Sequence, residues 1–156
     1  MLFASVTAQA QVQSGDIITI SNGDNYLAVN NAGNGIVNKT TDKVDKYCYW
    51  EVTISGSTYS FRSLTADKYL YISNNGLSLE DNGSFTLDDN KFYRSVRNFL
   101  GGGYSYYYIR YNNGWTSTTN SNSATTLTLT EVEFTEISLG GFTHSKGVTG
   151  DALNAK

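Results

Sequence analysis

Three stretches decide the reading of this chain. They are Tyr26-Leu-Ala-Val-Asn-Asn-Ala-Gly-Asn-Gly35-Ile36, Tyr69-Leu-Tyr-Ile-Ser-Asn-Asn-Gly76-Leu77 and Tyr108-Ile-Arg-Tyr-Asn-Asn-Gly114-Trp115. Each opens with Tyr and an aliphatic residue, passes through Asn-Asn, and resumes with Gly and a large apolar residue. The Tyr-led run has strand chemistry. Asn and Gly tolerate positive φ, which tight hairpin turns demand. The apolar residue after Gly restarts a strand in a fixed register. The unit recurs with a period of about forty residues, the signature of an internal repeat.

Between the copies lies a second hairpin signal. Tyr49-Trp50-Glu51-Val52-Thr53-Ile54 alternates, Ser55-Gly56-Ser57 turns, and Tyr59-Ser60-Phe61-Arg62 alternates again. Its expected counterpart is Phe92 to Val96, then Gly101-Gly102-Gly103, then Tyr104-Ser-Tyr106. Leu127 to Thr130 and Val132-Glu-Phe134 offer strand material for the third copy, and Ile17 to Ile20 stands before Tyr26 as Tyr59-Ser-Phe61 stands before Tyr69. This predicts about four strands per copy and about twelve in all. No segment keeps a helical period. Three such units are too few for a solenoid and too small for separate domains. Closing them around a pseudo-threefold axis removes exposed edges.

The totals agree with an all-β domain. The chain has 156 residues, enough for one domain with a real core, and holds 12 Tyr, 7 Phe and 15 Gly but no Pro. The formal net charge is -3 and no Lys/Arg cluster occurs, which argues against nucleic acid and anionic membranes as partners. No stretch is apolar enough to span a bilayer. The single Cys48 excludes an internal disulfide and reads as a small buried apolar residue. Residues 1–10 end in Ala8-Gln9-Ala10, the small-x-small pattern of a signal-peptidase site. They read as the remnant of an export signal and resemble the end of one of the Bacteroidetes type, placing the protein in the periplasm, at the cell surface or outside the cell. The expected domain covers residues 11–137, with repeats near 15–56, 57–102 and 103–137, followed by a tail or linker at 138–156.

Trp50-Glu-Val, Gly56, Tyr59-Ser-Phe-Arg-Ser63 and Lys68-Tyr-Leu70 resemble the β-trefoil, and within it the ricin-type lectin domains. The resemblance covers about residues 15–137 and implies a β-trefoil of about twelve strands in three pseudo-symmetric repeats. It implies carbohydrate binding without catalysis. The lectin site motifs are missing, however. The lectin Asp position falls near Ala28, Tyr71 and Arg110, and the Gln-x-Trp place reads Cys48-Tyr49-Trp50.

Catalysis finds little support in the residues. The only histidine, His144, sits in the tail beside Thr143 and Ser145 without an evident carboxylate frame. One Cys and one His do not make a zinc site, and Glu80-Asp81 and Asp88-Asp89 lack the spacing of a calcium loop. Neither a catalytic residue, nor a metal site, nor a cofactor is expected. Sugar sites combine aromatic faces with polar groups that pair with hydroxyls. The candidates for ligand binding are Tyr71, Asn74, Asn75, Arg110, Tyr111, Asn112 and Asn113. Asn-Asn-Gly is also what the turn itself requires. Trp115 aligns with Ile36 and Leu77 and so belongs to the core, as does Trp50. The expected partner is a glycan or polysaccharide bound by a monomer. The alternative is a protein-interaction or protease-inhibitor-like domain, with Thr65 to Lys68 and Ser117 to Ala124 as candidate loops.

Overall fold

The computed structural model describes residues 11–134, 137–139 and 142–144. The export-like start and the tail beyond residue 144 lie outside the described residues. Twelve strands form one barrel-like sheet. They are β1 (Ile17–Asn22), β2 (Asn25–Val29), β3 (Ile36–Thr40), β4 (Trp50–Ser55), β5 (Thr58–Ser63), β6 (Tyr69–Ser73), β7 (Gly76–Glu80), β8 (Phe85–Asp88), β9 (Lys91–Arg97), β10 (Tyr104–Tyr111), β11 (Trp115–Thr118) and β12 (Thr128–Glu131). Two short strands, β13 (Ile137–Leu139) and β14 (Phe142–His144), pair apart from it in a stretch expected to be tail. The described helical segments are three-residue 3-10 turns, as the lack of a helical period predicts.

Every pairing in the large sheet is antiparallel. Strand β1 pairs with β12 and β4, β4 with β5, β5 with β8, and β8 with β9. The backbone N–H of Leu127, just before β12, donates to Asn90 O, just before β9, at 3.3 Å. That contact brings the two ends of the six-strand path together. Outside this path, β2–β3, β6–β7 and β10–β11 are hairpins that touch one another. Trp115 Nε1 donates to Tyr26 O at 3.2 Å and to Asn38 Oδ1 at 3.0 Å, and Ser117 Oγ donates to Ser73 O at 2.8 Å. Those bonds tie the third hairpin to the first two.

Alternation explains the core. Ile18 and Ile20 of β1, Val52 of β4 and Phe61 of β5 point inward with Leu70, Ile72, Phe92 and Ile109, all at most 2% exposed. Phe61 packs edge-on to Phe92 at 5.4 Å and tilted against Phe85 at 5.8 Å. Trp50 is fully buried, and its Nε1 donates to Leu27 O at 3.1 Å. Trp115, Ile36 and Leu77 pack together against this core, as their alignment predicts. Cys48 is buried and free.

Three expectations need correction. The turn between β8 and β9 is Asp89-Asn90, with φ of 53° and 62°, and it closes a hairpin whose first strand, Phe85–Asp88, sequence reading missed. This hairpin, not the one closed by Gly101-Gly103, follows β5 as β4 follows β1. The glycine run joins β9 to β10. Second, the Asn-Asn-Gly turns differ from one another. Gly76 takes the positive φ in the second copy while Asn113 and Gly114 take it in the third, and the first loop is longer and built around Asn30. Third, Val132 to Phe134 is not strand, although the Val132 N–H donates to Ile17 O at 2.8 Å.

Candidate functional site

The structure places the predicted site residues on two adjoining hairpins, β6–β7 and β10–β11, and divides them between faces. Arg110 and Tyr111 are consecutive in β10, so they project to opposite faces. Tyr111 lies edge-on to Trp115 with ring centroids 5.0 Å apart. Tyr71, half-buried in β6, is covered by the Arg94 guanidinium 4.5 Å from its ring centroid, and Arg94 Nη1 donates to Ile72 O at 3.0 Å. Both aromatic faces are therefore engaged within the protein. Asn74 and Asn75 stand exposed at the tip of β6–β7, and Asn112 and Asn113 at the tip of β10–β11. By contrast, Asn30 is a turn residue. Its Oδ1 accepts from the N–H groups of Asn34 and Gly35, and its Nδ2 donates to Asn34 Oδ1 at 2.8 Å.

A different constellation gathers around Arg110. Cross-strand register places Tyr108 opposite Tyr93, Tyr106 opposite Ser95 and Tyr104 opposite Arg97. Alternation puts these residues and Arg110 on the outer face of β9–β10, while Phe92, Tyr107 and Ile109 face the core. Tyr93 stacks edge-on to Tyr106 at 5.5 Å and tilted to Tyr108 at 5.2 Å. Tyr104 and Tyr106 are 56% and 45% exposed. Thr116 and Thr118 extend the face from β11, opposite Arg110 and Tyr108. Burial, with Tyr93, Asp88 and Tyr106 nearby, pushes the Tyr108 phenol above its ordinary value. The result is a strip of aromatic surface edged by hydroxyls and guanidinium forks. Sequence reading took Tyr104 and Tyr106 only as strand material. The alternation of Tyr104, Tyr106, Tyr108 and Arg110 was the available signal, but Tyr93 could join it only once the register was known.

Beyond the strip, the hairpin loop carries Phe99 and Leu100, 97% and 96% exposed. Its neck is closed by the Asn98 N–H donating to Gly103 O at 2.9 Å and by Ser105 Oγ donating to Asn98 Oδ1 at 2.8 Å.

No protein-family model and no curated protein matches the chain. Solved structures do. The PSL1a–E64 complex superposes with a TM-score of 0.56 at 16% identity, over 78% of this chain and 49% of that one. Polyporus squamosus lectin bound to the human-type influenza-binding epitope Neu5Acα2-6Galβ1-4GlcNAc follows at 0.53 and 14%, over 78% and 50%. SeviL bound to asialo-GM1 saccharide matches at 0.53 and 14%, over 75% and 98%. The fold is one that lectins use. This chain spans about half the length of the first two of these proteins and nearly all of SeviL.

Other chemistry has less to stand on. A cavity of about 220 Å³ beside Tyr59, Phe92, Leu127 and Leu129 is walled mainly by core side chains. Among the described residues no three His, Cys, Asp or Glu side chains gather as a metal site would need. No described helix is long and apolar enough to cross a membrane. The strand β14 ends at His144, whose side-chain surroundings lie outside the described residues.

Proposed function

We propose that the chain is an exported, lectin-like carbohydrate-binding module without catalytic activity. Its twelve strands group as a β-trefoil of three repeats, β1–β4, β5–β8 and β9–β12. Each repeat then gives its first and fourth strands to the closed path and its middle hairpin to the cap. This grouping starts the third repeat at Lys91 rather than near residue 103.

The observation that carries the binding reading is the outward row of Tyr93, Tyr104, Tyr106 and Tyr108. Tyrosine presents a wide apolar ring to the C–H surface of a sugar and a hydroxyl to its polar edge. Arg110 belongs to this face, and Asn112 and Asn113 lie at the end of the same strand. Asn74 and Asn75 form a neighbouring rim, while Tyr71 and Tyr111 act as packing residues beneath it. The module works as a monomer, takes no cofactor, binds no nucleic acid, and acts in the periplasm, at the cell surface or outside the cell.

Glycan arrays followed by calorimetry test this reading. Binding should appear, and Tyr106→Ala should weaken it roughly tenfold, the loss of one stacking contact with its hydroxyl. Silence across plant, mucin and microbial glycans would overturn it.

The exposed pair Phe99–Leu100 favours a second reading, a protein-interaction domain. A fixed-neck loop ending in two apolar side chains suits an apolar pocket in a partner. It outranks Thr65 to Lys68, whose loop is drawn in by the Ala66 N–H donating to Ser63 Oγ and the Ser63 N–H donating to Lys68 O. It also outranks Ser117 to Ala124, which a 3-10 turn at Ser121–Ser123 folds back. Protease panels and pull-down from secreted proteins with the Phe99→Ser/Leu100→Ser double variant as control would separate the two readings.

A further inference from the structure

The four arginines of the chain are not used alike. Arg62 is satisfied twice over. Its Nη2 pairs with Glu51 and its Nη1 with Asp67, both at 2.7 Å. Arg94, Arg97 and Arg110 all lie on the adjacent strands β9 and β10, and none forms an ion pair with a described residue. Arg94 turns inward to Tyr71 and Ile72 O. Arg97 and Arg110 remain on the tyrosine face with no bond from their guanidinium groups to another described residue. This happens in a chain with 14 acidic side chains. An arginine fork fits carboxylate and other oxyanions in two-point contact, so two forks left open beside an aromatic strip mark the charge of what they meet.

We propose that the tyrosine face takes an acidic glycan, a polysaccharide bearing carboxylate or sulfate groups, with Arg97 and Arg110 pairing its anions at the two ends. This rests on the glycan reading above and adds the charge class to it. Arg97 stands opposite Tyr104, and Arg110 lies six positions further along β10. The two forks are thus separated by about 20 Å of strand, room for several sugar rings over the tyrosines between them. The one carboxylate of β8 near this face, Asp88, stands opposite Lys91 in the register. Two cations about 20 Å apart suit an acidic polysaccharide whose anions recur along the chain. A nucleic acid would call for many more phosphate contacts than this face can make.

Titration calorimetry with polygalacturonate, dextran sulfate and a neutral galactan provides the test. At least one acidic polymer should bind tenfold or more tightly than the galactan, and its affinity should fall as salt is raised. Arg97→Ala and Arg110→Ala should each weaken that binding roughly tenfold, weaken galactan binding much less, and leave the thermal midpoint unchanged. The ratio of polygalacturonate to dextran sulfate affinity tells carboxylate from sulfate recognition. Equal binding of neutral and acidic polymers, or acidic binding that survives both substitutions, overturns the inference and leaves the glycan reading standing. Failure of all three polymers overturns the inference; silence on the broader array would then sink the parent reading too.

Discussion

Trp50 and Trp115 secure different parts of the molecule. Trp50 fills the core and its indole N–H holds Leu27 O. Trp50→Ala should lower unfolding stability by about 3–5 kcal/mol in urea titrations, the range for deleting a large buried aromatic. Trp115 bonds across to the first hairpin and so holds the cap together. Trp115 was legible as a core residue because it falls in register with Ile36 and Leu77 of the other copies. The Arg94–Tyr71 stack was not legible, since its partners sit on different hairpins and only tertiary pairing joins them. Electrostatics adds a smaller effect at Asp45. The Lys39 ammonium, 2.8 Å away, and the Tyr47 N–H hold its carboxyl below the ordinary value of 3.8. Its stabilisation is therefore present at neutral pH and disappears as pH falls through that lowered pKa. Asp45→Asn should cost under about 1 kcal/mol at pH 7, because the pair is partly exposed. The difference between the two proteins should vanish in melts recorded in strong acid.

Among the elements, the hairpins show what a turn residue can and cannot reveal. Asn-Asn-Gly announced the β6–β7 and β10–β11 turns, yet which residue takes the positive φ differs between them. In sequence Asp88-Asp89 reads as an acidic pair without calcium-loop spacing, and the turn falls one residue on, at Asp89-Asn90. Its flanks, Phe85 and Leu87 before it and Phe92 after it, carried the alternation of a hairpin. The three successive glycines at 101–103 offer a louder turn signal, and they join β9 to β10. Gly83 is the glycine with a contact reason rather than a turn reason. A Cβ there would run into the carbonyl oxygen of Leu70 in β6. Gly83→Ala should therefore destabilise by about 1–3 kcal/mol, the cost of overpacking against backbone, whereas Gly101→Ala, in open space, should be nearly silent in the same thermal melts.

For the whole molecule, the first strand of the large sheet pairs with the last strand of that sheet. Residues Ile18 to Ser21 pair with Thr128 to Glu131, so the sheet cannot complete itself until nearly the entire described chain is in place. Such non-local pairing predicts folding on the order of milliseconds to seconds. Stopped-flow tryptophan fluorescence should follow it, with Trp50 reporting the core and Trp115 the cap. The repeat made a closed all-β body legible in the sequence, because three weak units need one another to bury their apolar sides. The tyrosine strip was less legible, because it depends on which strand lies beside β10. One consequence concerns chemistry rather than binding. Cys48 is the sole sulfhydryl of the chain, it is sealed inside, and burial pushes its thiol above the ordinary value. The folded protein should thus resist alkylation and air-driven crosslinking. A maleimide added under native conditions would become a clock, each labelled molecule recording one excursion in which the wall over the first hairpin came open.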